Sequence, residues 1–204
     1  MILSRLRIAI LIALALFCVR PAAAALSAAD HGDIARAETY LNAITALRAR
    51  FLQVAPDGST SEGALSLLRP GHLRLDYDPP SAIVVFADSN WLVYRDKELD
   101  QTSYLDIDST PAGLLIKPHL SLEGDGLAVT GVVRRPGVLE ITVIKAADPR
   151  QGRITLIFSE QPFQLRQWHV IDAQGQSTSV SLFDPHTDAK FDANWFSYRE
   201  IKGF

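Results

Sequence analysis

The chain predicts a mainly β fold, a single antiparallel meander curled into a barrel or half-barrel. Three observations carry that expectation. Apolar and polar residues alternate with period two from Phe51 almost to the end of the chain. Turn signals interrupt the alternation at short intervals: Pro56-Asp57-Gly58, Pro70-Gly71, Asp88-Ser89-Asn90, Pro136-Gly137, 149–152 and 172–175. Between the strands no long helical period intervenes, which excludes the alternating strand–helix pattern of a parallel sheet.

The elements follow in chain order. Residues 1–24 have the form of an export signal, with Arg5 and Arg7 ahead of an apolar run from Ile8 to Phe17, then Ala22-Ala23-Ala24 as a small-residue cleavage site. The apolar run is about ten residues, too short to span a bilayer as a helix. Phe17 precedes Cys18 where a lipoprotein signal needs a small residue, so a soluble exported domain at 25–204 is expected. Residues 27–50 show helical spacing, with Ile34, Ala37, Leu41, Ile44 and Leu47 on one face and Asp30 or Asp33 as N-cap. Strands are expected at 49–54, 63–69, 72–78, 83–87, 91–95 and 101–106, and again at 127–133, 138–144, 153–158, 165–171, 177–183 and 195–198. The break between the two sets contains a short apolar helix at 110–116, capped by Ser109 or Thr110. Gly113 weakens it and Pro118 stops it.

Composition narrows the function. Loss of the leader removes the single cysteine and three arginines, taking the formal charge from −3 to −6. The exported domain therefore has no disulfide and no thiolate chemistry. It also lacks the basic patches that drive nucleic-acid binding. There is no Gly-x-Ser-x-Gly elbow, P-loop, His-Glu-x-x-His or dinucleotide fingerprint, so no enzyme, cofactor or metal is expected. The five histidines show no paired spacing for a metal. Asp106-x-Asp108 and Glu123-Gly124-Asp125-Gly126 lack the ligand series of a calcium loop and read as solvated turns.

Arg69 is the residue that needs an explanation. Leu65 and Leu67 share its parity, so in a regular strand its guanidinium lies on the apolar face. That is costly unless hydrogen-bond partners receive it. Either it closes a barrel end onto backbone carbonyls or it takes part in function. The aliphatic faces read first as an ordinary core, with a second reading as the lining of a cavity that a wide barrel leaves unfilled.

An ordered series of motifs decides between them. It runs Phe51-x-Gln53, a glycine-containing turn, Glu62-Gly63-x-Leu65-x-Leu67, Arg69-Pro70 and Leu73-Arg74-Leu75-x-Tyr77-x-x-Pro80. It continues through Ile83-Val84-Val85, Trp91-Leu92-Val93-Tyr94-x-Asp96, Thr110-Pro111-x-x-Leu114-Leu115 and Asp172-x-x-Gly175-Gln176. This series resembles the LolA family of periplasmic lipoprotein carriers over most of the exported domain. The resemblance implies an unclosed, strongly curved barrel with the two helices as a lid over a hydrophobic cavity. The cavity lining it implies is Phe51, Leu65, Leu67, Leu73, Leu75, Tyr77, Trp91, Leu114 and Leu115, with Arg69 as the lid latch. It further implies acylated lipoproteins as cargo, received by a monomer from an inner-membrane ABC transporter of the LolCDE type and passed to an outer-membrane receptor.

The chain departs from the family at positions 73 and 75, often aromatic there and leucine here, and in a C-terminal segment without the usual proline. Other uses stay open at this point: the same fold carrying another lipid or sensing lipoproteins, or a periplasmic hydrolase built on His169 or His186.

Overall fold

The structure, a computed structural model, describes residues 25–88, 90–192 and 194–196. The expected leader lies outside them, as does the end of the expected strand at 195–198. Helix α1 (Ala28–Ala43) leads into strands β1 (Ala46–Val54), β2 (Thr60–Leu68), β3 (His72–Tyr77), β4 (Ile83–Asp88), β5 (Trp91–Asp96) and β6 (Gln101–Asp106). A 3₁₀ turn at Ile107–Ser109 and helix α2 (Pro111–Leu115) follow. The chain then forms β7 (Leu127–Arg135), β8 (Val138–Lys145), β9 (Gly152–Glu160), β10 (Phe163–Asp172) and β11 (Ser177–His186).

All eleven strands form one antiparallel sheet, ordered β6-β5-β4-β3-β2-β1-β11-β10-β9-β8-β7. Two meanders join where β1 pairs with β11, and among the described residues β6 and β7 are left as edges with no hydrogen-bonded closure between them. The sheet nonetheless curls. Leu65 and Leu67 of β2 line one narrow gap together with Leu165 and Trp168 of β10, three strands away. In a flat sheet those strands would lie about 14 Å apart. The mainly β, incompletely closed barrel expected from the alternation is the observed architecture.

The helices differ from their expected form. α1 ends at Ala43 rather than near residue 50, and Ala46-Leu47-Arg48-Ala49-Arg50 is strand. These are good helix formers, but they pair on one side with β2 and on the other with β11. Two ladders of backbone hydrogen bonds outweigh a propensity worth a few tenths of a kcal/mol per residue. The N-cap is Ser27, one turn earlier than expected. Its hydroxyl accepts from the Asp30 amide while the Asp30 carboxylate accepts from the Ser27 amide, a complete capping box.

α1 lies across the concave face, burying Ile34, Ala37 and Leu41. Tyr40 sets its ring edge-on against Phe158 and Phe163. The core beneath includes Phe51, Leu65, Leu67, Leu73, Leu139, Ile141, Leu156 and Phe158, all nearly inaccessible. On the other end, the expected last strand is a turn at Trp195–Phe196. That segment packs on the convex face. Arg74 donates to the Trp195 carbonyl at 2.9 Å and lies over the Trp195 ring, and His72 stacks on Phe196.

Candidate lipid-binding interior and its latch

The Arg69 side chain joins both helices. Its Nε donates to the carbonyl of Leu115, the last residue of α2, at 2.6 Å. Its Nη1 donates to the carbonyl of Leu41, in the last turn of α1, also at 2.6 Å. The last carbonyls of a helix have no partner within it, so each needs an outside donor. One guanidinium supplies donors to two helix ends because its N–H groups are held in a rigid fork. The following turn adds a third contact, the Gly71 amide to the Ile116 carbonyl at 3.0 Å. Gly71 has φ +86°, a conformation that favours glycine. Burial lowers the Arg69 pKa from its ordinary value.

The segment after α2 is tied to α1 as well. Asn42 exchanges two hydrogen bonds with the backbone of Leu120, at 2.9 and 2.8 Å. The Glu38 carboxylate accepts the Leu122 amide at 2.5 Å.

The residues expected to line a cavity fall into four groups. Leu65, Leu67 and Leu115 line the narrow gap beneath Arg69, with Leu41, Trp168 and Leu182 across it. Phe51 and Leu73 are buried in the core, and Leu75 and Tyr77 pack partly exposed against it. Tyr77 meets Phe51 edge-on at 5.1 Å and donates its hydroxyl to Gln53 at 2.8 Å, so the Phe51-x-Gln53 pair holds one tyrosine. Burial, with Tyr94 nearby, pushes the Tyr77 phenol up to about 12. Gly63 makes the contact feasible, since a Cβ there would strike the Phe51 ring.

Trp91 is the exception. Leu92, which alternates with it, faces the core, so Trp91 stands on the convex face, 48% exposed beside Tyr104. A shift of one residue in parity separates the two faces.

Leu114 belongs to a second space. A cleft of about 350 Å³ opens between α2 and the ends of β8, β9 and β10, with Leu114, Leu127, Val143, Ile154 and Val170 along it. The alternation alone leaves Val143 and Ile154 open to either reading, core or cavity lining. Their exposure depends on how far α2 reaches, which no single strand encodes.

The curled open sheet with helices across its hollow is the arrangement that the motif series pointed to. The family model for "Outer membrane lipoprotein carrier protein LolA" matches residues 42–199. The chain belongs to the LolA family. The outer-membrane lipoprotein carrier protein of Pseudomonas paraeruginosa is 28% identical over 178 residues, covering 83% of this chain and 84% of that protein. The same-named protein of Azotobacter vinelandii is 27% identical over 184 residues, covering 86% and 87%. Among solved structures, a domain from Vibrio parahaemolyticus assigned to outer membrane lipoprotein sorting superposes with a TM-score of 0.53. At 11% identity, covering 83% of this chain and 97% of that one, it shows the LolA-like fold alone.

Among the described residues, no cluster of three or more His, Cys, Asp or Glu is arranged to hold a metal ion. No described helix is long and apolar enough to cross a membrane.

Proposed function

We propose that this LolA-family chain is a periplasmic carrier. It takes up the acyl chains of lipoproteins released from the inner membrane by a transporter of the LolCDE type and passes them to an outer-membrane receptor. The observation that carries the proposal is the pair of bonds from Arg69 to the last turns of α1 and α2. They hold a short apolar helix over an apolar interior, and they are few enough to break.

The magnitudes fit a reversible cover. A hydrogen bond to a charged group contributes about 1.5–3 kcal/mol, so the one Arg69 bond that reaches α2, to Leu115, holds it with about that much. Burying a sixteen-carbon chain returns roughly 12 kcal/mol at about 0.8 kcal/mol per methylene. One chain therefore suffices to displace the latch, and without cargo the latch closes again. No covalent step is needed.

A hydrolase is disfavoured by where its residues lie. His169 pairs with the Ser177 hydroxyl at 2.6 Å, but it alternates with Val170 and so faces away from the cleft.

Transfer of a purified acylated lipoprotein from this chain to outer-membrane vesicles tests the proposal. The Arg69→Leu variant is expected to fold and load cargo but to deliver it poorly. Delivery at the rate of the unaltered chain would sink the gating role. Recovery of free glycolipid alone with the protein purified from the periplasm would sink lipoprotein as the cargo.

A further inference from the structure

The strand registers arrange the inward side chains of β7–β10 in rows. Val132, Ile141, Leu156 and Trp168 form one row, and Leu139, Phe158 and Leu165 another. These two lie beneath α1; Leu139, Ile141, Leu156 and Phe158 are wholly inaccessible. The third row is Val129, Val143, Ile154 and Val170. Only Val143 of these four is fully buried, and Val143, Ile154 and Val170, with Leu127 beside them, line the 350 Å³ cleft.

The reason is a mismatch of lengths. A helix of α2's five residues extends about 7.5 Å, at about 1.5 Å per residue. Four adjacent strands present a row about 14 Å long. α2 covers part of it and leaves the remainder as an apolar floor that no other segment among the described residues covers. At that volume the cleft falls within the range of about 300–1,000 Å³ usual for small-ligand sites.

The chemistry of the cleft selects its occupant. The floor is a line of three β-branched side chains, Val143, Ile154 and Val170, with no polar group among them. The mouth carries both charge signs, Lys117, Lys145 and Arg153 beside Asp108, Asp125 and Asp172, each at least partly exposed. An apolar groove with a charged, wet mouth of mixed sign suits an extended alkyl chain whose polar end remains in water.

The cleft also lies on the far side of α2 from the latch. Leu114 faces the cleft, while its neighbour Leu115 lines the gap beneath Arg69. A chain in the cleft thus touches α2 without requiring Arg69 to let go. We propose that this cleft takes up one acyl chain of the cargo while α2 is still latched, before any chain enters beneath it. The proposal depends on the carrier function above and adds to it an order of events and a place.

The test is photolabelling of the purified chain with palmitic acid bearing a terminal diazirine, followed by mapping of the labelled peptides. Labelling within residues 143–154 and 170–172 is expected. Val170→Trp, which fills the cleft, is expected to weaken palmitate binding about tenfold, whereas Phe183→Ala, an exposed side chain on the opposite face of the sheet, leaves it unchanged. An acylated peptide should displace the palmitate, and the same peptide without its acyl groups should not.

Label confined to Leu65, Leu67 and Leu182 would overturn the cleft as entry site and leave the carrier function standing. Displacement by the unacylated peptide would make the occupant a polypeptide and overturn the proposal. Absence of labelling anywhere on the apolar interior would overturn both. The wild-type map decides the matter even if Val170→Trp fails to fold.

Discussion

The two helices on the concave face are built to opposite specifications. α1 has sixteen residues, a capping box, and charged anchors at its first half: Arg134 of β7 donates to Asp30 and Asp33 at 2.8 and 2.6 Å, and Arg36 reaches Glu160 at 2.6 Å. It buries a stripe of Ile34, Ala37 and Leu41. α2 has five residues, shorter than an isolated helix needs to persist in water. It keeps its place through contacts at one end, the Arg69–Gly71 turn, and through the apolar Leu114, Leu115 and Ile116. The contrast separates a helix anchored along its length from one held at one end, the roof and the flap of the proposed carrier. A carrier needs both, because a cover stable everywhere would never release and one loose everywhere would never shield.

Removing Arg69 should break the contrast most. In Arg69→Leu the α2 end loses its guanidinium donor while α1 keeps its cap and ion pairs. Amide exchange across 113–117 should accelerate about 100-fold, the equivalent of roughly 3 kcal/mol. Exchange within the middle of α1 should change far less. Equal acceleration in both helices would show that they open as one unit.

Gly113 offers a second, sharper discrimination because two principles disagree on its sign. Helix propensity alone predicts that Gly113→Ala stabilises α2 by about 1 kcal/mol. Here, however, a Cβ would strike the Ile107 carbonyl and crowd the backbone of Asp108, neither of which is a flexible side-chain end. Overpacking against backbone costs about 1–3 kcal/mol, so the variant should loosen the flap. Slower exchange in 113–117 would mean that the 3₁₀ turn yields readily.

These residues also show what the sequence can and cannot convey. Eleven of the twelve expected strands lie at their expected places to within a few residues, since each depends on local alternation and turn chemistry. α1 was overextended because Leu47 falls on the helical spacing by coincidence and its strand pairing is non-local. Gly113 was visible as a weak helix former, but its tight approach to Ile107 was not, because that depends on how the 3₁₀ turn folds back. Arg69 stood out for its parity alone, and its acceptors at Leu41 and Leu115 lie 28 and 46 residues away. The cleft was hidden for another reason: Val143, Ile154 and Val170 look like any core until the reach of α2 is known.

On the roof side smaller effects are expected. Ser27→Ala removes the capping box and should cost about 1 kcal/mol, a fall in Tm of roughly 3 °C for a domain of this size. Flap exchange should stay as it is; a parallel loosening of 113–117 would tie the flap to the far end of α1.

Acid gives the gentlest test. The Ser27 backbone and side-chain bonds, then Arg134, hold Asp30 at about 2, below its ordinary 3.8. A carboxyl depressed by folding stabilises the fold above its unfolded value, and that contribution fades as pH falls from about 4 to about 2. Thermal melts of the native chain and Asp30→Asn should therefore differ near neutrality and converge toward pH 2. A constant difference across that window would mean that Asp30 is not held by these partners.

One feature of the sheet has a mechanical consequence. The two free edges, β6 and β7, are consecutive in the chain, and the segment that spans them is 107–126, α2 included. A belt of fixed length thus runs from one lip of the open barrel to the other. Under the carrier function proposed above, cargo bulky enough to spread the lips draws that belt taut, and the tension falls on the Leu115 and Ile116 carbonyls where the Arg69–Gly71 turn grips them. The amount of lipid inside is thereby converted into a pull on the fastening that retains it.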